Sequence, residues 1–167
     1  MDIKKVLLIS LIAVAILASV SVVSAGFLDG LFGEEHEDNI IEIDHITFNA
    51  TNVTSFKLES QTEQSGMYAN WYVDENDTGH NLYIINCSLD DSTYNAFVDN
   101  YKDEYANSPS QTVNGVVVYT TSANTGDGVG QPRYDAYIEN NDLNSIICFS
   151  TPDPNETAKM ASTLKFK

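Results

Sequence analysis

The composition of the chain breaks at residue 25, and one folded unit cannot accommodate both sides of that break. Lys4 and Lys5 precede an almost unbroken run of Val, Ile, Leu and Ala from Val6 to Val23, and Val23-Ser24-Ala25 then sets small residues ahead of Gly26. A basic start, an apolar centre and a small-residue end form the pattern of a secretory leader. The run of about 18 apolar residues is also just long enough to cross a bilayer. An uncleaved anchor over residues 6–23, with the domain outside, is therefore the competing expectation. The Ser-Ala end, the lack of a basic stop-transfer cluster and the acidic sequence that follows favour cleavage and export. With no Cys near the cleavage point, a lipoprotein anchor is excluded.

Removing the leader changes the balance of the rest. The whole chain has 8 Lys+Arg against 24 Asp+Glu, a net charge of −16; without Asp2, Lys4 and Lys5 the counts become 6 and 23, or −17. Such a chain cannot neutralise a phosphate backbone, so a nucleic-acid partner is excluded. The apolar share falls from 43% to roughly 37%, which is low for a packed domain but too high for a wholly disordered acidic segment.

Residues 26–44 read as an acidic flexible tether. Its glycines discourage a helix, and Glu34-Glu35-His36-Glu37-Asp38 is a self-repelling, solvated charge run. A single α+β domain is expected over 45–167. Ile46–Phe48 and Ser55–Leu58 read as short strands, and Met67–Val73 and Leu82–Cys87 as a hairpin around an Asn/Asp/Gly cluster. Tyr94, Phe97, Val98, Tyr101 and Tyr105 fall on one helical stripe, which Ser108-Pro109 ends. A three-stranded meander is expected over Gly115–Thr121, Arg133–Glu139 and Ser145–Ser150. A short C-terminal helix follows, with Asp153 as N-cap, Pro154 in its first position and Glu156 completing a capping box. Hairpin, helix, meander and helix predict an antiparallel sheet with the helices on one face.

Few motifs carry chemistry. Cys87 and Cys148, both on strands, invite a disulfide that would close a loop of about 60 residues, worth roughly 4 kcal/mol; the alternative is two separate buried thiols. Five Asn-x-Ser/Thr sequons begin at Asn49, Asn52, Asn76, Asn86 and Asn155. Asn49, Asn52, Asn76 and Asn155 are the candidate glycan acceptors, and Asn86, beside a Cys inside a strand, is the weakest. Asp74–Gly79 opens like a calcium loop but has Ile85 where a bidentate Glu is required. The Gly-rich stretch Gly126–Gly130 lies between strands and lacks Lys, so it does not cradle phosphate. No cofactor or metal is expected. Trp71 and Tyr72 are candidates for a binding surface, since alternation sends them to opposite faces of one strand.

Two resemblances add to this. The opening KKVLLISLIAVAILASVSVVSAGFLDGLFG resembles the start of short exported proteins of methanogenic archaea, which implies export. The element order from Met67 to Phe166 is similar to PsbP-like α+β domains, which implies a fold and no functional residues. The expected function is a non-enzymatic binding or structural domain, exported to the cell surface or secreted, whose partner is a glycan or protein there. The alternative is an extracytoplasmic enzyme or accessory subunit whose site assembles only in the fold. Membrane contact enters only through an uncleaved leader.

Overall fold

A computed structural model describes residues 39–64, 66–76, 79–87, 91–122 and 130–167. The expected leader and most of the expected tether lie outside these residues. Among the described residues, no helix is long and apolar enough to cross a membrane.

The structure is an α+β fold built on antiparallel strands. The main sheet contains β3 (Phe56–Gln64), β4 (Met67–Asp74), β5 (Asn81–Cys87), β6 (Ser110–Val113), β7 (Val116–Ser122), β8 (Pro132–Asn140) and β9 (Ser145–Thr151). Its seven strands lie in the order β3-β4-β5-β9-β8-β7-β6. A three-stranded sheet, ordered β1-β2-β10, joins β1 (Asn39–Ile43), β2 (Ile46–Ala50) and β10 (Lys165–Phe166). Among the described residues the helices are α1 (Asp91–Tyr105) and α2 (Pro154–Thr163).

The centre of the main sheet explains its layers. Every residue of β9, SIICFST, is buried, so both faces of the sheet must be covered. On one face Tyr94, Phe97, Val98, Tyr101 and Tyr105 of α1 pack over Met67, Ile85, Ile146 and Cys148. All five residues of the sequence stripe are thus buried. On the other face Leu82, Ile84, Ile147 and Phe149 meet Ile46 and Phe48 of the small sheet and Met160 of α2. The one-face expectation holds for the layer that α1 forms; α2 lies with the small sheet across the main one. Alternation along β5 and β9 makes this division, since successive side chains point to opposite faces.

Other departures are local. Asn39–Ile43, which the sequence reading gave to the tether, pairs with β2 from Asn39↔Ala50 to Ile43↔Ile46. The turn of this hairpin places Asp44 at φ 53, a conformation that Asp tolerates better than most residues. β3 runs on to Gln64, past the expected end at Leu58. Ahead of the expected meander, β6 and β7 form a hairpin in which Val113 pairs with Val116. Its turn residues Asn114 and Gly115 have φ of 51° and 84°, the two positive values that a two-residue Asn-Gly hairpin requires. At α2 the Asp153 side chain caps the helix by accepting from the Asn155 amide, as expected. Glu156 does not close a capping box, and the Asp153 amide donates instead to Thr151 Oγ1 at 3.0 Å. The Glu156 carboxylate turns outward from the helix and accepts from the amides of Thr51 (2.6 Å) and Asn52 (3.3 Å).

Candidate functional site

The chemistry-bearing residues gather where the C-terminal end of α1 meets β8 and β9. In β8 the order Arg133-Tyr134-Asp135-Ala136-Tyr137 sends Arg133, Asp135 and Tyr137 to the α1 face. Cross-strand pairing sets Ser150 beside Asp135 and Cys148 beside Tyr137. Tyr105, in the last turn of α1, reaches down to donate its hydroxyl to Asp135 Oδ2 at 3.2 Å. Thr121 of β7 donates to the same oxygen at 3.0 Å.

Asp135 is 8% exposed and Arg133 is 6% exposed. Burial holds the Asp135 carboxyl above its ordinary range, against the opposing pull of its hydroxyl donors and of Arg133. Loss of water also lowers the affinity of Arg133 for its proton, which the Asp135 charge partly restores. The Arg133 guanidinium is anchored on β9, donating from Nη2 to the Ser150 carbonyl at 2.6 Å and to Ser150 Oγ at 3.1 Å. Gly79 (φ +79) makes room for it: a Cβ there would lie 3.1 Å from Arg133 Nη1.

Around this polar row stands a group of aromatic rings. Tyr105 lies 4.8 Å from Tyr119 and 5.3 Å from Tyr137, and Tyr101 lies 5.2 Å from Tyr137, centroid to centroid. Burial, followed by the neighbouring Cys148, raises the phenols of Tyr101 and Tyr105 well above their usual range. The Cys148 thiol sits 3.9 Å from the Tyr105 hydroxyl and donates to the Phe149 carbonyl at 3.8 Å. Burial first, and the Asp135 charge second, push it up to about 12. A thiol held there is almost wholly protonated at neutral pH and is a poor nucleophile. Glu104, on the exposed side of α1, is raised to about 7 by partial loss of water and by Asp135. Because that residue remains exposed, solvent screening keeps the shift from counting for stability.

A second polar group lies at the far side of the Arg133 end. His80 and Asp74 are both buried, with Nδ1 and Oδ2 3.9 Å apart. Burial lowers the imidazole's affinity for a proton more than Glu156 and Asp74 raise it. His45 stacks on Phe166 at 5.9 Å, and His36 lies outside the described residues. Among the described residues, no three His, Cys, Asp or Glu side chains come together as a metal site.

The disulfide expectation is corrected by strand register. Cys148 pairs with Tyr83, whereas Cys87 lies four residues further along β5. Four residues of strand span roughly 13 Å, twice the Cα separation that a disulfide bridges. Cys148 is a free, buried thiol.

The candidate binding aromatics do not form an open platform. Trp71 is buried, stacks on Tyr83 (6.3 Å between centroids, 7° between planes) and donates from Nε1 to Asn81 Oδ1 at 3.0 Å. Tyr72 faces the other way and is half-buried against the second core. Its phenol is raised by burial and then by Asp44.

The sequons separate clearly. Asn52 and Thr54 are exposed on either side of buried Val53. Asn76 is exposed, but Thr78 lies outside the described residues. Asn155 is exposed, whereas its Thr157 is fully buried and donates to the Tyr134 carbonyl at 2.8 Å. Asn49 is half-buried in the central strand of the small sheet, and Asn86 is half-buried between β4 and β9.

Sequence reading passed over Arg133, Asp135 and Ser150. The available signal was the alternation of charge and Tyr in Arg133-x-Asp135-x-Tyr137, which places two charges on the same side of a strand as a core aromatic. No protein-family model matches the chain, and no curated protein matches it.

Proposed function

We infer that the chain is an exported cell-envelope domain with a binding or structural role rather than a catalytic one. One observation supports the second half of this reading: the reactive groups are committed to holding the fold together. Asp135 takes hydroxyls from α1 and β7, Arg133 is tied to β9, and Glu156 takes the amides of the loop after β2. The Cys148 thiol, pushed up to about 12, lies beneath α1 in a form that does not attack electrophiles. Asp135 and Glu156 thereby join elements that are distant in sequence, and Arg133 ties β8 to the strand that follows it. Catalytic acids and nucleophiles, by contrast, are poised near the working pH and open to a substrate.

Export rests on the leader and on the acidic chain after it. Outside the cell, a domain near −17 stays soluble and resists self-association. Acceptors for an extracytoplasmic modification also fit that location.

The test has two arms. Intact mass of the protein from the extracytoplasmic fraction of expressing cells is expected to begin at Gly26, and retention inside the cell would overturn export. Serine- and cysteine-directed activity probes are expected to leave the native protein unlabelled. Stoichiometric labelling of one described side chain would favour the enzyme reading.

A further inference from the structure

We propose that Asn52 is the sequon of this fold built to accept an N-linked glycan. The proposal deepens the export reading, on which it rests for the meeting of chain and sugar donor. A transferring enzyme must grip two side chains together, the Asn amide and the hydroxyl two residues on. In Asn52-Val53-Thr54 the burial runs exposed, buried, exposed. Val53, with no exposed surface, is pressed into the second core beside Ile46 and Phe48. Its carbonyl also accepts from Asn39 Nδ2 at 3.1 Å. The middle residue is therefore an anchor, and the two recognised side chains stand out from it toward solvent. The Glu156 carboxylate supports the same presentation by accepting from the backbone amides of Thr51 and Asn52.

The sequons at Asn155, Asn49 and Asn86 lack this arrangement, and Thr78 of the Asn76 sequon lies outside the described residues. At Asn155 the hydroxyl of Thr157 is buried between Thr151 and the Tyr134 carbonyl, and the Asn155 amide donates to Asp153 Oδ1 at 3.2 Å. Asn49 is half-buried in a strand paired on both sides, to β1 and β10, and its backbone amide is held by Thr163. Asn86 sits within a strand paired on both sides, to Tyr68 and Ser145. Asn76 is exposed, and its side-chain amide rests on the Thr54 hydroxyl at 3.3 Å. The oxygen of Thr54 accepts in that contact, so its proton stays available to an enzyme.

The donor class is a lipid pyrophosphate-linked oligosaccharide. Asn52 Nδ2 attacks the anomeric carbon and the C1–N bond forms. The C1–O bond to the lipid pyrophosphate breaks, with the electron pair leaving on that oxygen, and one amide proton passes to a base of the transferring enzyme.

The test uses the full chain, purified and folded, with a single-subunit oligosaccharyltransferase that accepts Asn-x-Thr and a synthetic donor of this class. Because no export step is involved, its outcome is independent of the Gly26 mass measurement. Peptide mapping is expected to find the sugar on the Asn52 peptide and to find Asn155 bare. Asn52→Gln and Thr54→Ala are each expected to abolish that signal, while Thr54→Ser retains it. An Asn52 peptide that stays bare, with or without sugar elsewhere, overturns the proposal, as does modification that survives Thr54→Ala.

Discussion

Replacing Glu156 with Ala tests whether a helix carboxylate fastens the loop between the two sheets. Glu156 is 3% exposed, and one of its oxygens accepts from the amides of both Thr51 and Asn52. In the Ala variant those two N–H groups lose their acceptor. A deprived donor costs about 1–3 kcal/mol when buried, and Thr51 and Asn52 are only half-buried and exposed. The lower part of that range applies, giving about 2.5 kcal/mol for the pair. With unfolding entropy near 2.1 cal/mol/K per residue, a domain of about 130 residues loses about 9 °C in Tm. Glu156→Gln keeps an oxygen in place and loses only the charge assistance, so about 1 kcal/mol is expected. Urea denaturation followed by Trp71 fluorescence, together with calorimetry, measures both. The reasoning is refuted if the Ala variant falls within 0.5 kcal/mol of the parent, on the order expected of neutral surface changes. It is equally refuted if Gln costs as much as Ala, since the accepting oxygen would then not be what matters.

Three further outcomes follow from the same contacts. Phe149 is fully buried and meets Phe48 edge-on at 4.8 Å, so Phe149→Ala is expected to cost about 3–5 kcal/mol in denaturant titration; a loss under 1 kcal/mol would contradict the layer assignment. Burial raises the Asp135 carboxyl in the folded state, so the native protein binds its proton more tightly than the unfolded chain, and this group's contribution to stability falls as pH rises from the ordinary Asp value through the folded one. Asp135→Asn is therefore expected to flatten that part of the Tm-against-pH curve relative to the parent, and an unchanged slope would show that the charge is not buried. Because Cys148 is free, reducing agent is expected to leave Tm unchanged, and a drop on reduction would restore the disulfide.

Local pattern carried much of the fold. The α1 stripe is buried at all five positions, and β4, β5, β7, β8 and β9 stand within about two residues of their expected bounds, a normal margin for strand and helix ends. What escaped was strand structure without apolar alternation. β3 is an edge strand whose FKLESQTEQ leaves most positions in contact with water, so it carries little of the period-two signal. β6 is only four residues long, and β10 only two. Pairing was also beyond local pattern: β5 lies beside β9, across α1 and three intervening strands. That one adjacency aligns Cys148 with Tyr83, separates it from Cys87 and buries β9 on both sides. The polar row was missed for the same reason. Arg133 and Asp135 look like solvent-facing residues until Ser150 and Tyr105 are brought to them from other elements.

Cys148 is the buried group on which the proposed structural role can be read most directly. The most direct measurement is the rate at which iodoacetamide modifies Cys148 in the native full chain at pH 8, read on the Cys148 peptide against a denatured control. A thiol pushed up to about 12 beneath α1 predicts that this peptide stays unmodified while the control reacts completely. Native modification of Cys148 at the rate of the control would contradict the proposed structural role.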